Sequence, residues 1–180
     1  MSDIRQHQAE ALRDVAAIAV DRFGAGQTNR IQYQNWILHR ENAQVQVTTL
    51  DQEPVLTTQA DGSIHRYDHY LAKNGELTQE LRGHIAHDVA RTFLQRTGQT
   101  DFTSEKYGYQ LQTNGSRLAI HDASDRPLLL SQVDPTGQTT LLKNQIDQVD
   151  VERFHALGQA VQQMEQRQQP QRADSIAMEQ

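Results

Sequence analysis

The stretch Tyr107-Gly-Tyr-Gln-Leu-Gln-Thr-Asn-Gly115-Ser-Arg-Leu-Ala-Ile-His-Asp-Ala-Ser-Asp-Arg-Pro127-Leu-Leu-Leu-Ser-Gln-Val-Asp-Pro-Thr-Gly137 decides the fold. Apolar residues alternate with polar ones between turn signals at Asn114-Gly115, Asp125-Arg126-Pro127 and Asp134-Pro135-Thr136-Gly137. Alternation at a period of two, punctuated by such residues, describes short antiparallel strands joined by hairpins. The strands fall at Lys106–Thr113, Ser116–Asp122, Leu128–Val133 and Thr139–Lys143.

The same pattern occurs 73 positions earlier, where Trp36 falls on Tyr109, Leu38 on Leu111, Val45 on Leu118 and Val47 on Ile120. Pro54 meets Pro127, Leu56 meets Leu129, Gln59 meets Gln132 and Asp61 meets Asp134. The flanks agree, because Gly26-Gln27-Thr28 precedes the first pattern as Gly98-Gln99-Thr100 precedes the second. The first meander is expected to comprise one strand over residues 31–39, then strands at 44–48, 55–59 and 64–67.

Each meander follows a helical stretch. In Asp3–Phe23 the residues Ile4, Ala11, Leu12, Val15, Ile18 and Ala19 recur at helical spacing. Its second half, Val15-Ala-Ala-Ile-Ala-Val20, is apolar nearly all round and is expected to be buried on more than one side. The second helix begins near Thr78, carries Leu77, Leu81, Ile85, Val89 and Phe93 at intervals of four, and ends at Gly98. His84, His87, Asp88, Arg91 and Arg96 occupy its other sides, so the histidines read as solvated. A third helix opens at Asp147 or Asp150, and Pro170 stops it.

These elements specify an α+β fold. Two tandem helix-plus-four-stranded antiparallel meander units form a pseudo-two-fold repeat over 1–75 and 76–146. A closing helix at 147–168 and a disordered tail at 169–180 follow, and the whole forms one compact domain. A meander has one apolar face that must be covered, and a unit of this size is marginal alone, so the units share a core. They join into one long sheet, or each sheet holds its own helix while the third closes the core.

Composition narrows function. Lys and Arg number 17 against 23 Asp and Glu, giving a net charge of -6 with both signs scattered. A surface devoted to phosphate backbones needs clustered cations instead. Cysteine is absent, which excludes disulfides, zinc thiolates and thiol nucleophiles. No apolar run approaches a membrane span and no signal-peptide core is present, so a soluble cytoplasmic protein is expected.

Eight histidines are the material for metal or acid–base chemistry. His65 and His69 lie near the end of the first meander, and His84, His87 and Asp88 on the second helix. Imidazole and carboxylate together suit zinc, iron or nickel, which makes these five the candidate metal ligands. His121-Asp122 offers part of a hydrolytic triad, but no serine sits in a Gly-x-Ser-x-Gly elbow, and Asp122 reads as a turn cap. No cofactor is expected. Phe154, Leu157, Val161 and Met164 form a narrow stripe on the third helix and are the candidate partner-binding residues.

The expected function is a non-catalytic binding or adaptor protein that acts through a protein partner or self-association. A nucleic-acid-associated protein using the exposed sheet face comes second, and a His/Asp metal-dependent enzyme third.

Overall fold

A computed structural model describes residues 3–179, with side chains described from residue 4 to residue 163. Helix α1 (Asp3–Phe23) precedes strands β1 (Arg30–Tyr33), β2 (Trp36–Glu41), β3 (Gln44–Thr49), β4 (Pro54–Thr58) and β5 (Ile64–Tyr67). A single 3₁₀ turn at Lys73–Gly75 leads into α2 (Glu76–Thr97). The second set follows as β6 (Asp101–Thr103), β7 (Gln110–Thr113), β8 (Arg117–His121), β9 (Pro127–Val133) and β10 (Thr139–Asn144), then α3 (Gln148–Glu179). Each set is a separate five-stranded antiparallel sheet in sequential order. No helix among the described residues is long and apolar enough to cross a membrane.

Both sheets have one strand more than the four expected, and the extra strand stands at the same place in each. In the first, the continuous strand expected over residues 31–39 folds back at Gln34-Asn35, with Tyr33 paired to Trp36 and Gln34 at a φ of 50°. The turn lacks glycine, so the alternating pattern masks it. In the second, β6 is three residues long, too short to show a period.

The repeat is visible in hydrogen bonding as well as in sequence. Leu38 pairs with Val47 and Val47 with Leu56, as Leu111 pairs with Ile120 and Ile120 with Leu129. A β-bulge immediately after Pro54 recurs immediately after Pro127. The bulged Val55 and Leu128 are both buried. The turn closed by Thr49 and Glu53 is repeated by Asp122 and Arg126, with Gln52 and Asp125 both at positive φ. Thr49 Oγ1 accepts the Glu53 N–H at 3.1 Å, and Asp122 Oδ1 accepts the Arg126 N–H at 2.9 Å.

Two of the sequence matches slip. Val133–Thr139 and Gln132–Thr140 are additional pairs in the β9–β10 hairpin, so Asp134 opens its turn as Gln59 does in the first sheet. Asp61 instead lies inside its turn and accepts the Ser63 N–H at 2.9 Å. The extra residue of the β5 bulge is His65 and that of the β10 bulge is Leu142.

The two sheets do not merge. Helix α1 lies across the first sheet, α2 packs on the second, and α2 is flanked by α1 and α3. Trp36, Leu38, Val45, Val47 and Leu56 are buried, and so are their counterparts Tyr109, Leu111, Leu118, Ile120 and Leu129. They belong to one continuous apolar cluster with α1, α2 and the start of α3. In the second half of α1, Val15, Ala16, Ala19 and Val20 are all buried, so that half is enclosed on more than one side as its composition requires. Ile4, at the outer end of the same stripe, is exposed.

Helix α2 approaches β10 closely at Gly83, where an added Cβ would lie 2.6 Å from Asn144 Cγ and 2.7 Å from Leu141 Cδ1. Asn144 holds that approach by donating to the Gln79 carbonyl at 2.7 Å.

Asp147 and Asp150 start α3 together. Asp147 Oδ1 accepts the Asp150 N–H at 2.8 Å and Asp150 Oδ2 accepts the Asp147 N–H at 3.1 Å, a reciprocal capping arrangement. The helix continues past Pro170 to Glu179, across the stretch from residue 169 where a disordered tail is expected from sequence. Good helix formers flank Pro170 on both sides and offset part of the cost of a proline inside the helix, which loses one backbone donor and crowds the carbonyl four residues back. Met164 and every side chain after it lie outside the described residues.

Candidate functional site

The histidine candidates are spread across the fold. His65 is exposed at the β5 bulge, and His69 stacks on Tyr70 with ring centroids 4.0 Å apart. His84 is half-buried and meets the Tyr33 ring edge-on at 5.6 Å, on the side of the first sheet. His87 is buried at 6% exposure and its Nδ1 is 2.6 Å from Ser131 Oγ on β9 of the second sheet. Asp88 accepts from Arg22 Nε of α1 at 2.6 Å. Among the described residues no group of three His, Cys, Asp or Glu side chains is placed to hold a metal ion.

Two of these placements overturn the solvated reading of the α2 histidines. Their helix is enclosed on several sides, and burial pushes His84 below its ordinary value and His87 down to about 4, with Arg91 adding to the effect on His87. Ser131 has no exposed surface, so the His87–Ser131 pair is an internal hydrogen bond that no substrate reaches. Its counterpart in the first sheet is Thr58, whose buried hydroxyl accepts the Val45 N–H at 2.8 Å. His121-Asp122 forms no triad either. Asp122 accepts from the Ser124 and Arg126 N–H groups and Arg126 Nε, and these bonds hold its carboxyl below the usual range.

The partner-binding candidates divide. Phe154 is 2% exposed and packs against Tyr109 with ring centroids 5.0 Å apart, so it belongs to the core. Leu157 and Val161 are half-buried and border two hollows. Val161 borders one of about 210 Å³ over the α1–α2–α3 junction, beside the Arg22–Asp88 pair.

Leu157 lines the other, an apolar slot of about 250 Å³ between α3 and the β6–β7 loop. This loop is two residues longer than the β1–β2 turn. Ser104 and Tyr109 pair as Tyr33 and Trp36 do, but four residues separate them instead of two. Gly108 allows the loop to close, with a φ of 76° and space for an added Cβ only 2.6 Å from Ala123 Cβ. A side chain there would meet both backbone strain and overlap.

The loop holds Tyr107 at the mouth of the slot, with Lys106 Nζ 5.2 Å and the Arg153 guanidinium carbon 4.4 Å from its ring centroid. Phe102, Leu111, Phe154 and Leu157 supply the apolar lining, and Ala156 and Ala160 form the open α3 side. Phe102 is pinned from behind by Phe93 of α2, with ring centroids 4.5 Å apart. Tyr109 donates to Asp150 Oδ1 at 2.5 Å and accepts from Arg153 Nη1 at 3.3 Å. Burial, and then the bond to Asp150, push the Tyr109 hydroxyl up to about 12. It therefore serves as a neutral strut that orients Arg153.

The sequence points to Phe154 and Leu157 but not to Phe102 or Arg153, and Lys106 and Tyr107 are hidden because residues 106–113 read as one strand. The signal was Gly108 between two tyrosines, which interrupts a strand pattern.

The outward faces of the sheets also differ. Across the first runs a row in direct register, Arg30, His39, Gln46, Thr57 and Arg66. Its counterpart across the second is Asp101, Gln112, Ala119, Leu130 and Lys143. Arg30, His39 and Gln46 border a shallow hollow of about 330 Å³ with Ile37, Thr48 and Gln52.

No protein-family model, no curated protein and no solved structure matches this chain.

Proposed function

We propose that this chain is a non-catalytic binding protein, an adaptor that receives a protein partner in the slot between α3 and the β6–β7 loop. One observation carries the reading. The repeat uses the equivalent place in the first unit for a two-residue turn, whereas the second unit carries an enlarged loop, a half-buried Tyr107 and an apolar hollow. An aromatic and an arginine bordering an apolar depression are the residue types that dominate protein–protein contacts. A cytoplasmic location belongs to the same proposal and suits a cysteine-free chain.

The test is a photo-crosslinking amino acid at Ala160, on the exposed border of the slot. The expected result is a discrete protein adduct in cells that disappears when Leu157→Asp is added. No adduct, or an adduct indifferent to Leu157→Asp, removes the proposal.

A second reading places single-stranded nucleic acid on the outward face of the first sheet, favoured by the Arg30–Arg66 row that the second sheet lacks. It requires binding that weakens steeply with salt and with Arg30→Ala plus Arg66→Ala. Salt-independent binding, or none at micromolar protein, eliminates it.

A further inference from the structure

We propose that the slot selects an acidic peptide segment, one that presents an aromatic or branched apolar side chain beside an Asp or Glu carboxylate. The proposal rests on the docking reading above and assigns the chemistry of the occupant.

Size is the first constraint. At about 250 Å³ the slot is smaller than the roughly 300–1,000 Å³ of sites that enclose a whole small-molecule ligand. It accommodates a side chain inserted from a longer partner. Its lining of Phe102, Leu111, Phe154 and Leu157 favours an apolar one.

Charge is the second. Lys106 and Arg153 both stand at the mouth, on a chain whose net charge is -6. The Asp150 carboxylate is already engaged, one oxygen by the Tyr109 hydroxyl and the other by the Asp147 N–H. Glu105, on the same loop, does not line the slot. The slot lining thus carries two cations and no carboxylate, and the Tyr109 hydroxyl, bonded to Asp150, also accepts from Arg153 and fixes its direction. The Arg153 guanidinium sits over the Tyr107 ring and spends one Nη1 donor on Tyr109, and a guanidinium has five N–H donors, so others remain to meet a carboxylate. An apolar anchor next to an acid satisfies slot and mouth together, whereas a lysine-bearing segment meets two like charges.

The test uses the full chain, isotope-labelled for amide NMR, and two capped peptides. One alternates aspartate with phenylalanine and leucine, and the other has lysine for each aspartate. The aspartate peptide is expected to shift amides within residues 102–111 and 153–160 and to bind about 10-fold more tightly than the lysine peptide. Arg153→Glu with Lys106→Glu is expected to reverse that preference. Lys106→Glu alone, at an exposed loop position, is expected to narrow it if the double variant does not fold. Equal binding of both peptides overturns this proposal while leaving the docking reading standing. Concentration-dependent shifts of the same amides without peptide overturn it in favour of a second copy of the chain. Absence of shifts from either peptide at millimolar concentration overturns it, and the Ala160 crosslink then decides the docking reading separately.

Discussion

Replacing His87 with glutamine should flatten the acid side of this protein's stability profile. His87 is 6% exposed and its ring bonds Ser131 at 2.6 Å. Burial moves its pKa from 6.5 in the unfolded chain to about 4 in the folded one. Between those values the unfolded chain binds a proton that the folded chain refuses, so stability rises with pH across this window. The contribution is complete above the unfolded value and is lost as pH falls, at about 1.4 kcal/mol per pH unit. At about pH 4.5 the loss attributable to His87 is on the order of 2.5 kcal/mol relative to about pH 7.5. Glutamine carries no titrating proton and can still bond Ser131. Urea unfolding at both pH values should show the wild type losing about 2 to 3 kcal/mol more than His87→Gln. His84 and His155 are also pushed down by burial, and Asp61, Asp122 and Asp134 by hydrogen bonds, but all five are present in both proteins. Their contributions cancel in the difference. If both proteins lose the same stability, His87 is solvated and the enclosed position of α2 is wrong.

Three further outcomes follow from the packing. Phe154→Ala should cost about 3–5 kcal/mol in chemical denaturation, whereas half-buried Leu157→Ala should cost under about 1.5, because only Phe154 lies in the core. Equal effects would mean that the two share one environment. Gly83→Ala gains about 1 kcal/mol of helix propensity, but its methyl overlaps Asn144 and Leu141, so a net loss of about 1–2 kcal/mol is expected. A stabilised variant would show that α2 does not approach β10 so closely. Tyr109→Phe removes the donor to Asp150 and should lower the denaturation midpoint by the equivalent of about 1–3 kcal/mol, so an unchanged midpoint contradicts that bond.

Much of the architecture was legible in the sequence because it depends on local chemistry. The bounds of α1, the turn before Pro54 and the matching turn before Pro127 all follow from residues within a few positions of one another. The inward rows Trp36–Leu56 and Tyr109–Leu129 follow from the two-residue period. What escaped depends on long-range placement. His84 and His87 looked solvated because polar residues on a helix normally mark a wet face, yet α2 has α1, α3 and a sheet around it. The slot joins a loop near residue 106 to a helix near residue 154, and nothing local to either announces the other. Gln34-Asn35 escaped for the opposite reason, since a tight turn without glycine leaves the alternating pattern nearly intact.

Within the two sheets, the differences in length have a property in common, which is parity. The β6–β7 loop is longer by two residues, and the β9–β10 hairpin gains two on each strand. An odd increment would turn every later side chain of the strand to the opposite face and carry the apolar row into water. An even increment leaves inside and outside where they were. Such a duplicated meander can grow by pairs of residues at its turns while its buried rows stay in register, so new surface can be added to one unit without renegotiating the core that both units share.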